Sequence, residues 1–168
     1  MAKIVFAAGT SHTPMLLASD ETLPRFVETD QSSTSATLGD GGIYSNLEDL
    51  SNWDDALQNH TLLSAKEMEP ALSPARLADG SQPRWPDQAG EDNLDLGKPV
   101  SYGFSWFLNP YRGHARMWHT GSTEGFRSVI QRFTTDNLTI VILSNRSDLN
   151  PKALSEQIAD LLLTQEHD

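Results

Sequence analysis

The chain has 168 residues, 38% of them hydrophobic, and a mean hydropathy of −0.43, which fits one ordinary water-soluble domain. No apolar run approaches the roughly 20 residues of a membrane helix, and with no cysteine the chain has no disulfide, thiolate nucleophile or Cys-ligated zinc. Twelve basic against 23 acidic residues leave a net charge of −11, which repels nucleic-acid phosphate and anionic membranes alike, so the expectation is a cytoplasmic enzyme or binding module with neither as a partner.

Residues Lys3 to Ala8 are apolar and β-branched and read as a strand. They are too short for a signal-peptide core, and no small-residue cleavage site follows. Gly9-Thr10-Ser11 interrupts the strand, and Pro14 prevents an immediate helix start. Residues 19–42 are polar and punctuated, with Gln31-Ser32-Ser33-Thr34-Ser35 as a low-complexity patch and Gly39-Asp40-Gly41-Gly42 as a glycine turn.

Two helices are predicted next. Ser45 and Glu48 have capping-box spacing, and Leu47, Leu50, Trp53 and Leu57 follow as an apolar stripe. Ser64 and Glu67 form a second box, opening a shorter helix through Met68 and Leu72 that Pro74 ends. Residues 73–101, rich in Pro, Gly and acids, read as a long loop. The acids from Asp79 to Asp95 lack calcium-loop spacing and fit a solvated surface.

From Tyr102 the texture is β. Tyr102, Phe104, Trp106 and Leu108 alternate as one aromatic strand face. His114–His119 is a second strand, closed by Thr120-Gly121-Ser122. Phe126–Phe133 and Leu138–Ser144 follow across short turns, which implies an antiparallel meander. Asn150 with Pro151 opens a last helix, whose stripe is Leu154, Ile158, Leu161 and Leu162. The expected fold class is α+β: an antiparallel sheet of about four strands, packed by the C-terminal helix, with two helices before it. Trp53, Trp85, Trp106 and Trp118 could stack a ligand, but Trp53 and Trp106 fall on predicted core faces.

The segments Gly39 to Trp53, Tyr102-Gly103-Phe104-Ser105-Trp106, Trp118 to Arg127, and Val141-Ile142-Leu143-Ser144-Asn145-Arg146 resemble, in this order, the C-terminal portion of β-lactamase-related serine hydrolases. That family holds class C β-lactamases, D,D-peptidases and esterases. The resemblance runs from about Ala36 to Leu163, so residues 36–168 are assigned to the C-terminal part of such a domain, a partial β-lactamase/transpeptidase-like fold. It implies acyl-transfer hydrolysis of a β-lactam, peptide or ester, with a small acyl compound as substrate and no cofactor.

The resemblance also implies a site at His119-Thr120-Gly121-Ser122, the family's Lys- or His-Thr-Gly motif on an edge strand. Such a strand offers unpaired backbone groups to an acyl chain. Gly121 permits close approach, the Ser122 N–H can donate to an oxyanion, and His119 supplies electrostatic or proton-transfer help. Glu124 and Arg127 flank this motif and either line its cleft or pair on the surface.

The family's nucleophile motif, Ser-x-x-Lys, in which the lysine takes the serine's proton, has no match. Lys66, Lys98 and Lys152 are preceded three positions earlier by Leu63, Asp95 and Leu149, and Lys3 has no such position. Tyr44-Ser45-Asn46 has the letters of the family's Tyr-x-Asn motif but lies in the glycine-turn segment, downstream of where that motif falls, so Ser45 is read as a helix cap. In the family both motifs lie N-terminal to the portion recognised in this chain. The chain alone is therefore expected to be inactive, or a remnant binding acyl ligands or a partner chain, with self-association as a further expectation.

Met1 to Leu16 is similar instead to the start of class III extradiol ring-cleavage dioxygenases, of the protocatechuate 4,5-dioxygenase β-subunit type. That similarity implies an iron ligand at His12 and, as an alternative function, extradiol ring cleavage, and it makes residues 1–31 a separate segment, joined near Gln31 to Thr37. A facial iron triad needs a second His and a carboxylate. His60, His114, His119 and His167 all lie in the hydrolase-like part, so no metal site is expected.

Overall fold

The computed structural model describes residues 43–83, 101–123 and 125–163, and the backbone of three earlier strands, β1 (Ala2–Ala8), β2 (Met15–Leu17) and β3 (Phe26–Glu28). The chain continues through α1 (Leu47–Gln58), α2 (Ala65–Met68) with a 3-10 turn at Glu69–Leu72, β4 (Arg116–Ser122), β5 (Arg127–Phe133), β6 (Leu138–Ser144) and α3 (Pro151–Leu162). The α+β class holds, with two helices before the antiparallel β4–β5–β6 meander and one after it. The sheet order is β1-β6-β5-β4, and β2 pairs with β3 apart from it.

The fourth strand of the sheet differs from the expectation. Residues 102–108 do not form a strand. The chain folds back on itself there, with Tyr102 bridging Phe107 and the Gly103 N–H donating to the Trp106 carbonyl at 2.8 Å. Ser105 sits at φ 60° in the turn and Phe104 is 68% exposed at its tip. The alternating aromatics thus belong to a tight turn, and Tyr102 and Trp106 join different clusters. The fourth position is taken by β1, which runs parallel to β6 with Ala2 opposite Leu138 and Ala8 opposite Ser144. Flanked on both sides, β6 is central, which accounts for its nearly unbroken apolar run.

Each sheet face has its own cover. On one face Val129, Phe133, Leu138, Ile140 and Ile142 pack with Ala159 of α3. Asn150 caps α3 as expected, accepting from the Ala153 N–H, with Pro151 in the first turn. Its inward positions include Ser155 and Ala159, both buried, while Leu161 and Leu162 of the expected stripe are exposed. The buried Gln131 side chain donates to the Ser155 hydroxyl, and this polar contact helps fix the helix's rotation.

On the other face Leu57, Met68, Trp106 and Met117 form the core. The Ser64–Glu67 capping box is present in both directions. For α1 the cap is Asn46, not Ser45: its Oδ1 accepts from the Asp49 N–H at 2.9 Å, and its Nδ2 donates to the Asp49 carboxylate at 2.8 Å. Trp53 is not core; it is 45% exposed, and its neighbour Asp54 takes the inward position. No helix among the described residues is long and apolar enough to cross a membrane.

Candidate active site

All four residues of the His119-Thr120-Gly121-Ser122 motif lie on β4, at the edge of the sheet. The strand continues through Ser122 instead of closing at Thr120, so the motif is held in β geometry by β5: His119 lies opposite Ile130, Gly121 opposite Ser128, and Ser122 opposite Arg127. Trp118 exchanges both backbone hydrogen bonds with Phe107, at 2.9 and 3.0 Å, on the side away from β5. Backbone polar groups alternate between the two edges of a strand. Thr120 and Ser122 therefore turn their N–H and C=O toward the same outer edge, where no strand among the described residues pairs with them.

His119 is held at three points. Its Nδ1 donates to the Thr120 carbonyl at 2.7 Å, since a carbonyl can only accept. Its Nε2 lies 3.1 Å from the Tyr102 hydroxyl. With the Nδ1 proton in place, the neutral ring accepts from Tyr102 through Nε2. The Phe107 ring stacks on the imidazole, with centroids 5.3 Å apart and planes at 22°. Burial pushes the Tyr102 phenol above its ordinary value of 10.0, so the hydroxyl stays protonated and able to donate.

Gly121 has a different neighbour from the one expected. A Cβ there would lie 2.5 Å from the Ser128 hydroxyl, so the missing side chain makes room for a serine of the adjacent strand. The other glycine needed for close approach is Gly103, where a Cβ would lie 2.0 Å from the Ala71 carbonyl oxygen. Gly103 thereby lets the Tyr102 turn pack on the 3-10 segment, and the Ala75 N–H donates to the Tyr102 carbonyl at 2.7 Å.

Arg127 holds the turn that follows the motif. Its guanidinium donates to the carbonyls of Thr123 and Phe126, clamping the β4–β5 turn, and the Thr123 N–H donates to the Phe126 carbonyl at 3.1 Å. Glu124, Trp85 and His12 lie outside the described residues, as does the Gln31 to Thr37 junction.

Behind the site Trp118 is fully buried. Its Nε1 donates to Asn109 Oδ1 at 2.6 Å, and the cations of Arg116 and Lys152 lie 5.0 and 5.2 Å from its ring centroids. Both cations pair with Glu156, at 2.9 and 2.7 Å. These contacts tie the strand carrying His119 to α3. Sequence reading missed Tyr102 as a site residue because its motif was read as a strand face. The signal was the same Tyr-Gly-Phe-Ser-Trp string, whose glycine marks a turn.

A family model described as Beta-lactamase matches residues 6–165. The chain is also 29% identical over 112 residues to Penicillin-binding protein 4* of Bacillus subtilis (strain 168), a match covering 66% of this chain and 21% of that protein. The match thus spans about a fifth of the length of that relative. No solved structure matches the chain.

Proposed function

The chain belongs to the Beta-lactamase family, and from that membership we propose that it carries the acyl-docking wall of a serine acyl hydrolase and by itself binds acyl donors without turning them over. Its α+β arrangement is that of part of a β-lactamase-like fold. The observation that carries the reading is the open edge of β4 beside the fixed imidazole of His119. The Ser122 N–H is placed to donate to an acyl oxygen as negative charge develops on it. Gly121 leaves room for the Ser128 hydroxyl beside that point, and Thr120 contributes a second outward N–H. His119 presents a polar ring next to the docked group, with Tyr102 as a positioning residue.

The sequence contains no Ser-x-x-Lys, so neither an activated serine nor its lysine base is supplied. Oxyanion stabilisation alone leaves only modest catalysis over water. The relative's name points to penicillin-type acyl donors as the first ligands to try. Purified chain should bind benzylpenicillin, yet neither hydrolyse nitrocefin or p-nitrophenyl esters at enzymatic rates nor take a fluorophosphonate label. Turnover of either substrate with one labelled serine would overturn the reading.

A further inference from the structure

We infer that the edge of β4 offers one complete backbone rung, so that the site takes compact acyl donors bearing at most one N–H in preference to extended peptides. This rests on the acyl-docking role proposed above and goes further by naming the substrate class.

Three residues of β4 turn their backbone outward along the site: Trp118, Thr120 and Ser122. An extended peptide pairing antiparallel with this edge needs a donor and an acceptor at successive positions of this kind. At Trp118 both groups are already taken by Phe107, at 2.9 and 3.0 Å. At Thr120 the carbonyl accepts from His119 Nδ1 at 2.7 Å, and a substrate N–H that reached it would share it with the imidazole. That imidazole does not swing away freely, because Phe107 stacks on it and the Tyr102 hydroxyl meets its other nitrogen at 3.1 Å. Beyond Ser122 the chain turns, with the Thr123 N–H bonded to the Phe126 carbonyl and Arg127 clamping the carbonyls of Thr123 and Phe126.

Among the described residues, what remains is two N–H donors, at Thr120 and Ser122, and one carbonyl, at Ser122. This set matches a short ligand rich in acceptor oxygens with a single amide N–H at most. It fails to match a strand of peptide, which carries donors and acceptors in equal number. His119 is thus a specificity-determining residue, because it occupies the carbonyl that a second peptide rung would use.

The test uses the full chain labelled with 15N and two probes: benzylpenicillin, which has one amide N–H, and acetyl-trialanine amide as the extended peptide. The expected result is saturable movement of the Thr120 and Ser122 amide signals with benzylpenicillin, and binding of the peptide at least about tenfold weaker. In His119→Ala the freed carbonyl should improve peptide binding relative to benzylpenicillin by about fivefold, the range of one net hydrogen bond. A second measurement needs no variant: long-range 15N correlations of His119 in the intact protein should show the neutral ring protonated at Nδ1. Peptide binding as tight as benzylpenicillin, with the Trp118 amide moving too, or a neutral ring protonated at Nε2, would overturn the inference and leave the acyl-docking role standing. If neither probe moves Thr120 or Ser122, the acyl-docking role falls as well.

Discussion

Asp54 on α1 and Arg132 on β5 meet at 2.6 Å with the carboxylate wholly shielded from water. The Thr139 hydroxyl donates to the same oxygen at 3.0 Å, while the guanidinium also reaches Met117 Sδ and Gln58 Oε1, both at 3.4 Å. This network bolts the first helix to the two strands behind the site.

Removing one partner of such a pair leaves the other as an uncompensated buried charge. Asp54→Ala should therefore cost about 3–5 kcal/mol. Adding Arg132→Met should recover part of the loss, because the stranded cation disappears and the two sites are coupled. Urea unfolding of the two variants checks this. A double variant that simply sums two large losses would refute the coupling.

The two glycines flanking the site should differ in tolerance. At Gly121 a methyl group meets the rotatable hydroxyl of Ser128, so Gly121→Ala should cost about 1 kcal/mol and be rescued by Ser128→Ala. At Gly103 the obstacle is the backbone oxygen of Ala71, which has no rotamer to change. Gly103→Ala should cost about 3 kcal/mol or more, at the upper end for overpacking. Equal midpoints in a denaturant series would contradict the geometry.

Alkaline stability should fall through the tyrosines. Burial raises the phenol of Tyr102, and burial followed by the hydrogen bond to Asp160 raises that of Tyr111. A folded-state value above the unfolded one means the unfolded chain loses its proton first as pH rises. The stabilisation is therefore complete below about pH 10 and lost as pH climbs through the folded values. Tyr102→Phe should flatten the decline of unfolding free energy above about pH 10. A slope identical to that of the parent would show that the phenol is not held protonated by the fold.

Self-association should be governed by salt. Ile43, Tyr44, Leu62, Leu63 and Phe104 are large apolar side chains exposed to water, and β4 adds an unpaired edge among the described residues. The net charge of −11 opposes contact between copies, and salt shortens the range of that repulsion. Light scattering should show a mass that rises from low to high salt. A constant monomer mass at both would mean these side chains are compatible with a solitary chain.

What the sequence disclosed was mainly local. Ser64 with Glu67, and Asn150 with Pro151, announce helix starts because every partner lies within four residues. The Leu138–Ser144 strand was legible because a central strand needs an apolar run. The aromatic alternation at 102–108 misled because a hairpin-like turn can bury Tyr102 and Trp106 in different clusters, and nothing in the string shows that Ser105 adopts a left-handed backbone. Trp53 was misplaced for a long-range reason: the inward position beside it belongs to an aspartate whose partner, Arg132, lies 78 residues away. The Tyr102–His119 contact spans 17 residues and depends on that same turn, so the motif was readable while its geometry was not.

The parallel pairing of β1 with β6 also sets an order of events during synthesis. The two strands lie more than a hundred residues apart in the chain, and a ribosome adds roughly 5–20 residues per second. The first strand must therefore wait on the order of ten seconds for its partner to emerge. During that interval its Ile4-Val5-Phe6 run is available to chaperones or to neighbouring nascent chains. The β4–β5–β6 meander, linked by short turns, can zip up soon after it emerges. Closing the sheet is the late step, and the yield of folded protein in a cell should depend more on what shields those first residues than on how fast the meander forms.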